Sequence, residues 1–375
     1  MADIAFFLPT LAGGGVERVV LNVICGFAAR GHSIDLVLMR HEGELLEQVP
    51  AEIRIVDLRA PALGDALFIT ALPALTNYLR IRPPRVLFSA MTTVNLIALW
   101  ARSLSRSPTK IVLSEHVPVS VNARTHPLKR VLPFLVRRNY AAADAIVAVS
   151  RALGDDLASV AELPRARIDT VYNPVVTPRL LRQSAERPDH PWFAEDVPIV
   201  VGIGRLVPQK DFETLLEAFA IARRRRRLRL VILGEGPGRA ALEASITRLG
   251  LADEVRLLGF VGNPASYLGH ASLFVLSSVF EGLAMVLIEA LACGCPVVST
   301  ACPTGPDEIL EDGVYGRLVP MRDAPAMAEA IIATLDAPPS RATAERRGLD
   351  FSLEAIIPQY VALFERVAAS GRKSG

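Results

Sequence analysis

The sequence predicts an α/β protein of two parallel, doubly wound domains, and three observations predict it. At 375 residues the chain is long for one domain and fits two of about 150–200. Short continuous apolar runs alternate with helical patterns, as strands buried on both faces of a parallel sheet require. The alternation breaks once, after Tyr172-Asn-Pro-Val175, in a stretch rich in Pro, Arg and acid over 176–198, and then restarts.

The elements come in order. Ile4–Leu8 reads as the first strand, and the helix after it covers about 16–30, closed by Gly31. Further strands are expected at Ser33–Met39, Arg85–Ser89, Lys110–Ser114 and Ala145–Val149, the last leading into a helix N-capped by Ser150. In the second half the strands are Ile199–Ile203, Leu228–Leu233, Val255–Leu258, Leu273–Leu276 and Pro296–Ser299. The expected division is therefore a first domain over 1–175, a linker over 176–198 and a second domain over 199–352. The closing segment 353–375 holds an amphipathic helix, Leu353–Ala369, that is a candidate to return to the first domain. Two such domains facing each other make a cleft lined by the carboxyl ends of their strands, where ligands bind in this class.

Composition narrows the function classes. A hydrophobic share of 51% with 21% charged residues describes a globular protein, and a net charge of +2 gives no bulk case for nucleic-acid binding. No apolar run reaches the ~18–20 residues that span a bilayer. The start, Met1-Ala-Asp-Ile-Ala-Phe-Phe-Leu, lacks the basic region of a signal peptide, so cytoplasmic residence is expected. Cys25, Cys293, Cys295 and Cys302 lack metal-ligand spacing and are expected as reduced thiols. There is no Asp-x-Asp to hold a divalent ion on a diphosphate, and no metal or other cofactor is expected.

The most informative stretch is Phe280-Glu-Gly-Leu-Ala-Met-Val-Leu-Ile-Glu289. It predicts Glu281 just before a helix and Glu289 about two turns inside it, with residues 282, 285, 286 and 289 on one helical face. Gly282 leaves the first backbone amides bare, and bare amides at a helix start bind anions. The run Gly282, Leu283, Ala284, Met285 and Val286, with the two carboxylates, suits a nucleoside diphosphate sugar: hydroxyls at both ends and negative charge between. Two glutamates at a helix start also serve simply to complement its dipole, so the motif is weighed with its company.

That company lies just beyond other predicted strands. Gly13-Gly14-Gly15 comes after the first strand and lets the backbone approach a ligand, or is a plain flexible loop. Gly204-Arg-Leu-Val-Pro-Gln-Lys210 offers Arg205 as a bidentate fork and Lys210 as a point charge. Both could stabilise a departing diphosphate without metal, or belong to a solvated loop. His116, after Lys110–Ser114, could hydrogen-bond a sugar or shuttle a proton, though a surface position explains a lone histidine equally well. Gly234-Glu-Gly-Pro-Gly238 and Gly259-Phe-Val-Gly-Asn263 close further strands as turns, and the second could wrap a flat base.

Taken together, Gly-Gly-Gly-Val-Glu-Arg, Gly-Arg-Leu-x-x-Gln-Lys, Gly-Glu-Gly-Pro and Glu-Gly-Leu-x-x-Val-Leu-Ile-Glu resemble, in order and spacing, the GT-B retaining glycosyltransferases of family 4. The resemblance covers essentially the whole chain. It implies two Rossmann-like domains, a nucleotide-sugar donor (a UDP-sugar by preference) held mainly by the second, and metal-independent transfer with retention at the anomeric carbon. It also implies roles: Glu289 on the ribose, Glu281 on the donor sugar, Arg205 and Lys210 on the diphosphate, Gly14 and Gly15 capping it, His116 on the sugar and Val261 at the base. The segment Cys302-Pro-Thr-Gly-Pro-Asp-Glu-Ile-Leu310 resembles a subgroup of bacterial surface-glycan and protein-glycosylation enzymes, several of which use UDP-N-acetylhexosamines and polyprenyl-diphosphate-linked acceptors. Its plainer reading is a structural turn before a helix.

Two alternatives share the fold and phosphate site: a GT-B sugar epimerase or phosphorylase, and a catalytically silent nucleotide-sugar-binding protein. The second has no need of Glu281, Glu289, Arg205, Lys210 and His116 all intact. A last expectation concerns partners. Arg124, Lys129, Arg130, Arg137 and Arg138 lie among Leu128, Val131, Leu132, Phe134, Leu135 and Val136 in a segment around Thr125–Tyr140. Such a segment can lie on an anionic membrane, here the cytoplasmic face of the inner membrane, or grip an acceptor diphosphate. It can also be an ordinary surface helix whose apolar face is core, and Pro133 complicates either view. The run Arg223–Arg227 sits where cations complement a helix C-terminus.

Overall fold

The structure is a computed structural model that describes residues 3–61, 68–124 and 126–370. Thr125 of the basic segment and residues 371–375 of the closing segment lie outside the described residues. The chain forms two compact units, Met1–Pro174 with Leu353–Gly375, and Val175–Ser352.

Among the described residues the first unit holds seven strands: β1 (Ile4–Leu8), β2 (Ile34–Leu38), β3 (Arg54–Asp57), β4 (Val86–Ala90), β5 (Lys110–Glu115), β6 (Ala145–Ala148) and β7 (Ile168–Thr170). They pair in parallel in the order β3-β2-β1-β4-β5-β6-β7, with Ile4 opposite Ile34 on one side and Val86 on the other. Every residue of β1, β2 and β4 is buried, because helices cover both faces of a doubly wound sheet. The predicted helix cap is present: Ser150 Oγ accepts from the Leu153 amide at 3.2 Å.

The helix Leu353–Ala369 is part of this unit's core. Its Tyr360 and Phe364 meet Phe6, Phe27 and Phe88, with Phe27 and Phe364 ring centroids 4.9 Å apart. Clusters of this kind add about 0.5–1.5 kcal/mol per ring pair to the area they bury.

The second unit repeats the plan with β8 (Ile199–Ile203), β9 (Arg229–Leu233), β10 (Val255–Gly259), β11 (Leu273–Leu276), β12 (Val297–Thr300) and β13 (Arg317–Val319), all parallel in the order β10-β9-β8-β11-β12-β13. In each sheet the winding reverses beside the first strand, between β1 and β4 and between β8 and β11. Ligands of such sheets bind at the carboxyl ends of these strands.

The stretch 176–198 corrects one expectation. It is not a linker but a packed part of the second unit. Thr177 caps the helix Pro178–Ser184 by accepting from the Leu180 amide at 3.1 Å. Asn263 Nδ2 donates to the Gln183 carbonyl at 3.2 Å and to Glu186 Oε2 at 2.8 Å. Trp192 is buried, with the guanidiniums of Arg229 and Arg256 4.3 and 4.8 Å from its ring centroid. Polar composition mimics a linker here because Arg179, Arg182, Glu186 and Arg187 face solvent, while only a few apolar residues, Val176, Trp192 and Val197 among them, are buried.

Candidate active site

In the second unit three loops meet behind the strand ends. The turn after β11, Ser277–Ala284, carries Glu281, only 7% exposed. Lys210 Nζ, from the loop after β8, donates to Glu281 Oε1 at 2.6 Å, and Ser278 Oγ donates to the same oxygen at 2.6 Å. The two loops are also stitched through their backbones. Gln209 Nε2 donates to the Phe280 carbonyl at 2.9 Å, the Val279 amide to the Gln209 carbonyl at 2.9 Å, and Ser277 Oγ to the Lys210 carbonyl at 2.7 Å. From the end of β12, Thr300 Oγ1 donates to the Ser278 carbonyl at 2.6 Å. Such mutual bonding fixes a charged pair before any ligand arrives.

Gly234–Gly238, after β9, explains how the Lys210 loop is seated. The Leu206 amide donates to the Glu235 carbonyl at 2.9 Å and the Gly238 amide to the Leu206 carbonyl at 2.8 Å. A Cβ at Gly234 would stand 2.0 Å from the Gly204 carbonyl oxygen, and one at Gly236 would stand 2.5 Å from that of Leu206. The glycine run is there because one loop's backbone passes directly over the other.

The helix itself begins later than expected. It spans Met285–Ala292 with Ala284 as its cap residue and no side-chain capping bond. Gly282, Leu283 and Ala284 form the turn before it, so Gly282 is not on the helical face, and Glu289 lies about one turn inside rather than two. The cause is the turn's own anchoring: the Thr304 hydroxyl holds the Glu281 carbonyl, which delays helical dihedrals until residue 285. The helix start has no side-chain cap, and Glu289 is half-buried one turn from it. Arg205 is exposed and makes no ion pair among the described residues, while Lys210 is engaged by Glu281, so the two cations do not share one partner. Val261, just past β10, is half-buried beside an exposed Gly262. Among the described residues no group of three His, Cys, Asp or Glu could hold a metal ion. All four cysteines are free, and burial pushes the thiols of Cys293 and Cys302 up to about 12.

The first unit presents a different chemistry. Gly14 caps the helix Gly15–Ala28 without a side-chain bond, and both Gly14 and Gly15 are exposed just beyond β1. His116 comes directly after β5 and is 6% exposed, which corrects the surface alternative. Its Nε2 lies 3.0 Å from Ser114 Oγ, and burial lowers its pKa to about 4, so the imidazole is neutral at pH 7. At the neighbouring position Glu115 is enclosed. Thr92 Oγ1 donates to one of its oxygens at 2.9 Å, and Asn95 Nδ2 at 3.0 Å and Tyr140 Oη donate to the other. Desolvation outweighs these donors and raises the Glu115 pKa to about 7. Asn95 Nδ2 also donates to the Ser114 carbonyl at 3.0 Å, tying the strand end that carries His116 to the helix Thr92–Ser105.

Residues 184–350 match the glycosyl transferases group 1, and residues 13–179 match glycosyltransferase family 4. The chain belongs to this glycosyltransferase family. An N-acetylgalactosamine-N,N'-diacetylbacillosaminyl-diphospho-undecaprenol 4-alpha-N-acetylgalactosaminyltransferase of Campylobacter jejuni is 29% identical over 90% of this chain and 91% of its own. The amylovoran biosynthesis glycosyltransferase AmsD of Erwinia amylovora is 26% identical over 80% and 81%. Among solved structures, Anabaena HepE in complex with UDP and glucose superposes with a TM-score of 0.77 at 19% identity, over 97% of this chain and 100% of that one. These likenesses fix the fold of this glycosyltransferase as GT-B.

Ser277, Ser278, Thr300 and Thr304 in the second unit of this glycosyltransferase, and Thr92, Asn95, Glu115 and Tyr140 in the first, brace the candidate site by hydrogen bonds and were not named individually by sequence reasoning. The paired serines directly before Val279-Phe280-Glu281 and the segment Cys302–Leu310, which holds Thr304, were the available signals. The rest are distant in sequence and converge only through the sheet order.

Proposed function

We propose that this glycosyltransferase moves an N-acetylhexosamine or hexose from a UDP-sugar to a polyprenyl-diphosphate-linked saccharide, with retention and without metal. The observation that carries the reading is the Lys210–Glu281 pair, held at 2.6 Å by three loops at the second sheet's reversal point. A donor brings negative charge to Lys210 and hydroxyls to Glu281, so one pair addresses both halves of the bond to be broken. Arg205 adds a second cation for the leaving diphosphate, the start of Met285–Ala292 adds amides, and Glu289 accepts from the ribose. A neutral His116 can hydrogen-bond a sugar without adding charge. The first unit is assigned the acceptor.

The acceptor lipid places the enzyme on a membrane, and we assign the docking to the basic segment on the cytoplasmic face. Leu132 and Val136 are buried, whereas Leu128, Val131 and Phe134 face outward, Phe134 with 63% of its surface exposed. Arg124, Arg130 and Arg138 of the same segment are exposed. Among the described residues no helix is long and apolar enough to cross a membrane. The function is tested by incubating the protein with a panel of labelled UDP-sugars and undecaprenyl-diphosphate-linked saccharides. Transfer from one UDP-N-acetylhexosamine with α-configured product is expected. Conversion of the UDP-sugar without acceptor would replace the reading with epimerase chemistry.

A further inference from the structure

The loop Cys302–Gly305 leaves β12 in an unusual conformation. Thr304 has φ +66°, the left-handed region that β-branched residues avoid, and it is buried. Its hydroxyl lies against two carbonyl oxygens, those of Glu281 and of Pro303, the latter at 2.6 Å. The Glu281 amide in turn faces the Pro303 carbonyl at 3.5 Å. Both backbone groups of Glu281 are thus met by two consecutive residues of another loop. Gly305, with φ +105°, completes the approach: a Cβ there would stand 3.2 Å from the Ala284 nitrogen and 3.3 Å from Leu283 Cα. Glycine or asparagine would hold a left-handed position with less strain. A threonine held there has to be explained by what its hydroxyl does, and strain of this kind persists only where the surroundings over-determine it.

We propose that Thr304 is a positioning residue for transfer: its hydroxyl clamps the Glu281 backbone and so aims the Glu281 carboxylate, with its Lys210 partner, at the donor sugar. Thr304 itself touches no substrate. This rests on the function proposed above for Glu281, so the tests separate the two. Thr304→Ser keeps the hydroxyl, Thr304→Val keeps the branched shape without it, and Thr304→Gly removes the hydroxyl and relieves the dihedral. With the donor and acceptor that the wild type uses, Thr304→Ser should stay within about threefold in kcat, while Val and Gly lose at least about tenfold, since small misplacements at a reacting centre are costly. UDP affinity by calorimetry should change less than about threefold in all three, because the effect is on aim rather than on diphosphate binding. The melting temperature of Thr304→Gly should not fall below that of Thr304→Val, which excludes simple unfolding as the cause. Amide hydrogen exchange over residues 279–284 of the unliganded protein tests the clamp whatever the donor proves to be: faster exchange in Val and Gly, unchanged in Ser. Wild-type kcat in Thr304→Val, or equal exchange in Val and Ser, would overturn the proposal. Failure of the wild type to use any UDP-sugar would count against the proposed function alone and leave the exchange result to decide the clamp.

Discussion

The two units share one architecture and differ in the electrostatics of their strand ends. Beyond β8 and β11 sits a fixed ion pair, Lys210 and Glu281, cross-braced by Ser278. Beyond β5 sits a neutral imidazole, and beside it a carboxyl pushed up to about 7 by burial. Sheet topology supplies the place, and the loop leaving each strand supplies the chemistry. A charged, pre-braced end suits a ligand carrying a diphosphate, and a neutral imidazole suits hydroxyls.

The comparison is broken most sharply at the ion pair. Lys210→Ala should lower kcat about 10²–10³-fold through lost leaving-group stabilisation. Glu281→Ala strands a mostly buried ammonium and should also cost about 3 kcal/mol of stability. Steady-state kinetics with urea unfolding measure both, and near wild-type turnover in Lys210→Ala would remove it from the chemistry. Next is Glu289→Ala, expected to weaken UDP binding by about 1.5–3 kcal/mol in a calorimetric titration. Unchanged affinity would take Glu289 off the nucleotide.

The first unit's two buried groups have a pH signature. His116 has its pKa lowered from 6.5 to about 4, so the unfolded chain binds the extra proton in that window, and this contribution to stability is lost as pH falls through it. Glu115 has its pKa raised from 4.5 to about 7, so its contribution is present in acid and is lost as pH rises through that range. The two oppose one another. Unfolding at pH 5 and pH 7 should show Glu115→Gln gaining stability with rising pH relative to wild type and His116→Asn losing it. Parallel pH profiles for all three proteins would contradict the assigned burial effects.

The smallest effect belongs to the surface segment. Alanine at Lys129, Arg130, Arg137 and Arg138 should reduce co-sedimentation with anionic vesicles at low salt, each basic contact being worth about 1 kcal/mol and screened by salt. Arg137 should matter less than Arg130, because it already pairs with Glu162 at 2.8 Å. Equal partitioning of mutant and wild type would remove this docking element.

Central strands were legible because each carries a short continuous apolar run, as Phe-Phe in β1 and Val-Val in β12. Three strands carried no such signal, Arg54–Asp57, Ile168–Thr170 and Arg317–Val319, and all three prove to be sheet edges. Edge strands meet solvent and carry polar residues such as Arg54, Asp169 and Arg317, so no continuous apolar run marks them. At the site, Glu281 and Lys210 were legible through short motifs, each fixed by its own loop. The contact of Thr304 with Glu281 and the Thr92–Asn95–Glu115–Tyr140 cluster were not, although the segment Cys302–Leu310 itself stood out, since each depends on a contact between distant segments. The shift of the helix start to Met285 has the same origin: a tertiary clamp on Glu281 overrides the local helical signal.

Central to the proposed function is stabilisation of the departing diphosphate by the chain's own charges, Lys210 with Arg205. Initial transfer rates in excess EDTA test it most directly, with wild type and Lys210→Ala assayed side by side. Wild-type rates unchanged by chelation, and a Lys210→Ala defect that added Mg²⁺ does not repair, are the predicted result. Complete loss of wild-type activity in EDTA, restored by Mg²⁺, would contradict it.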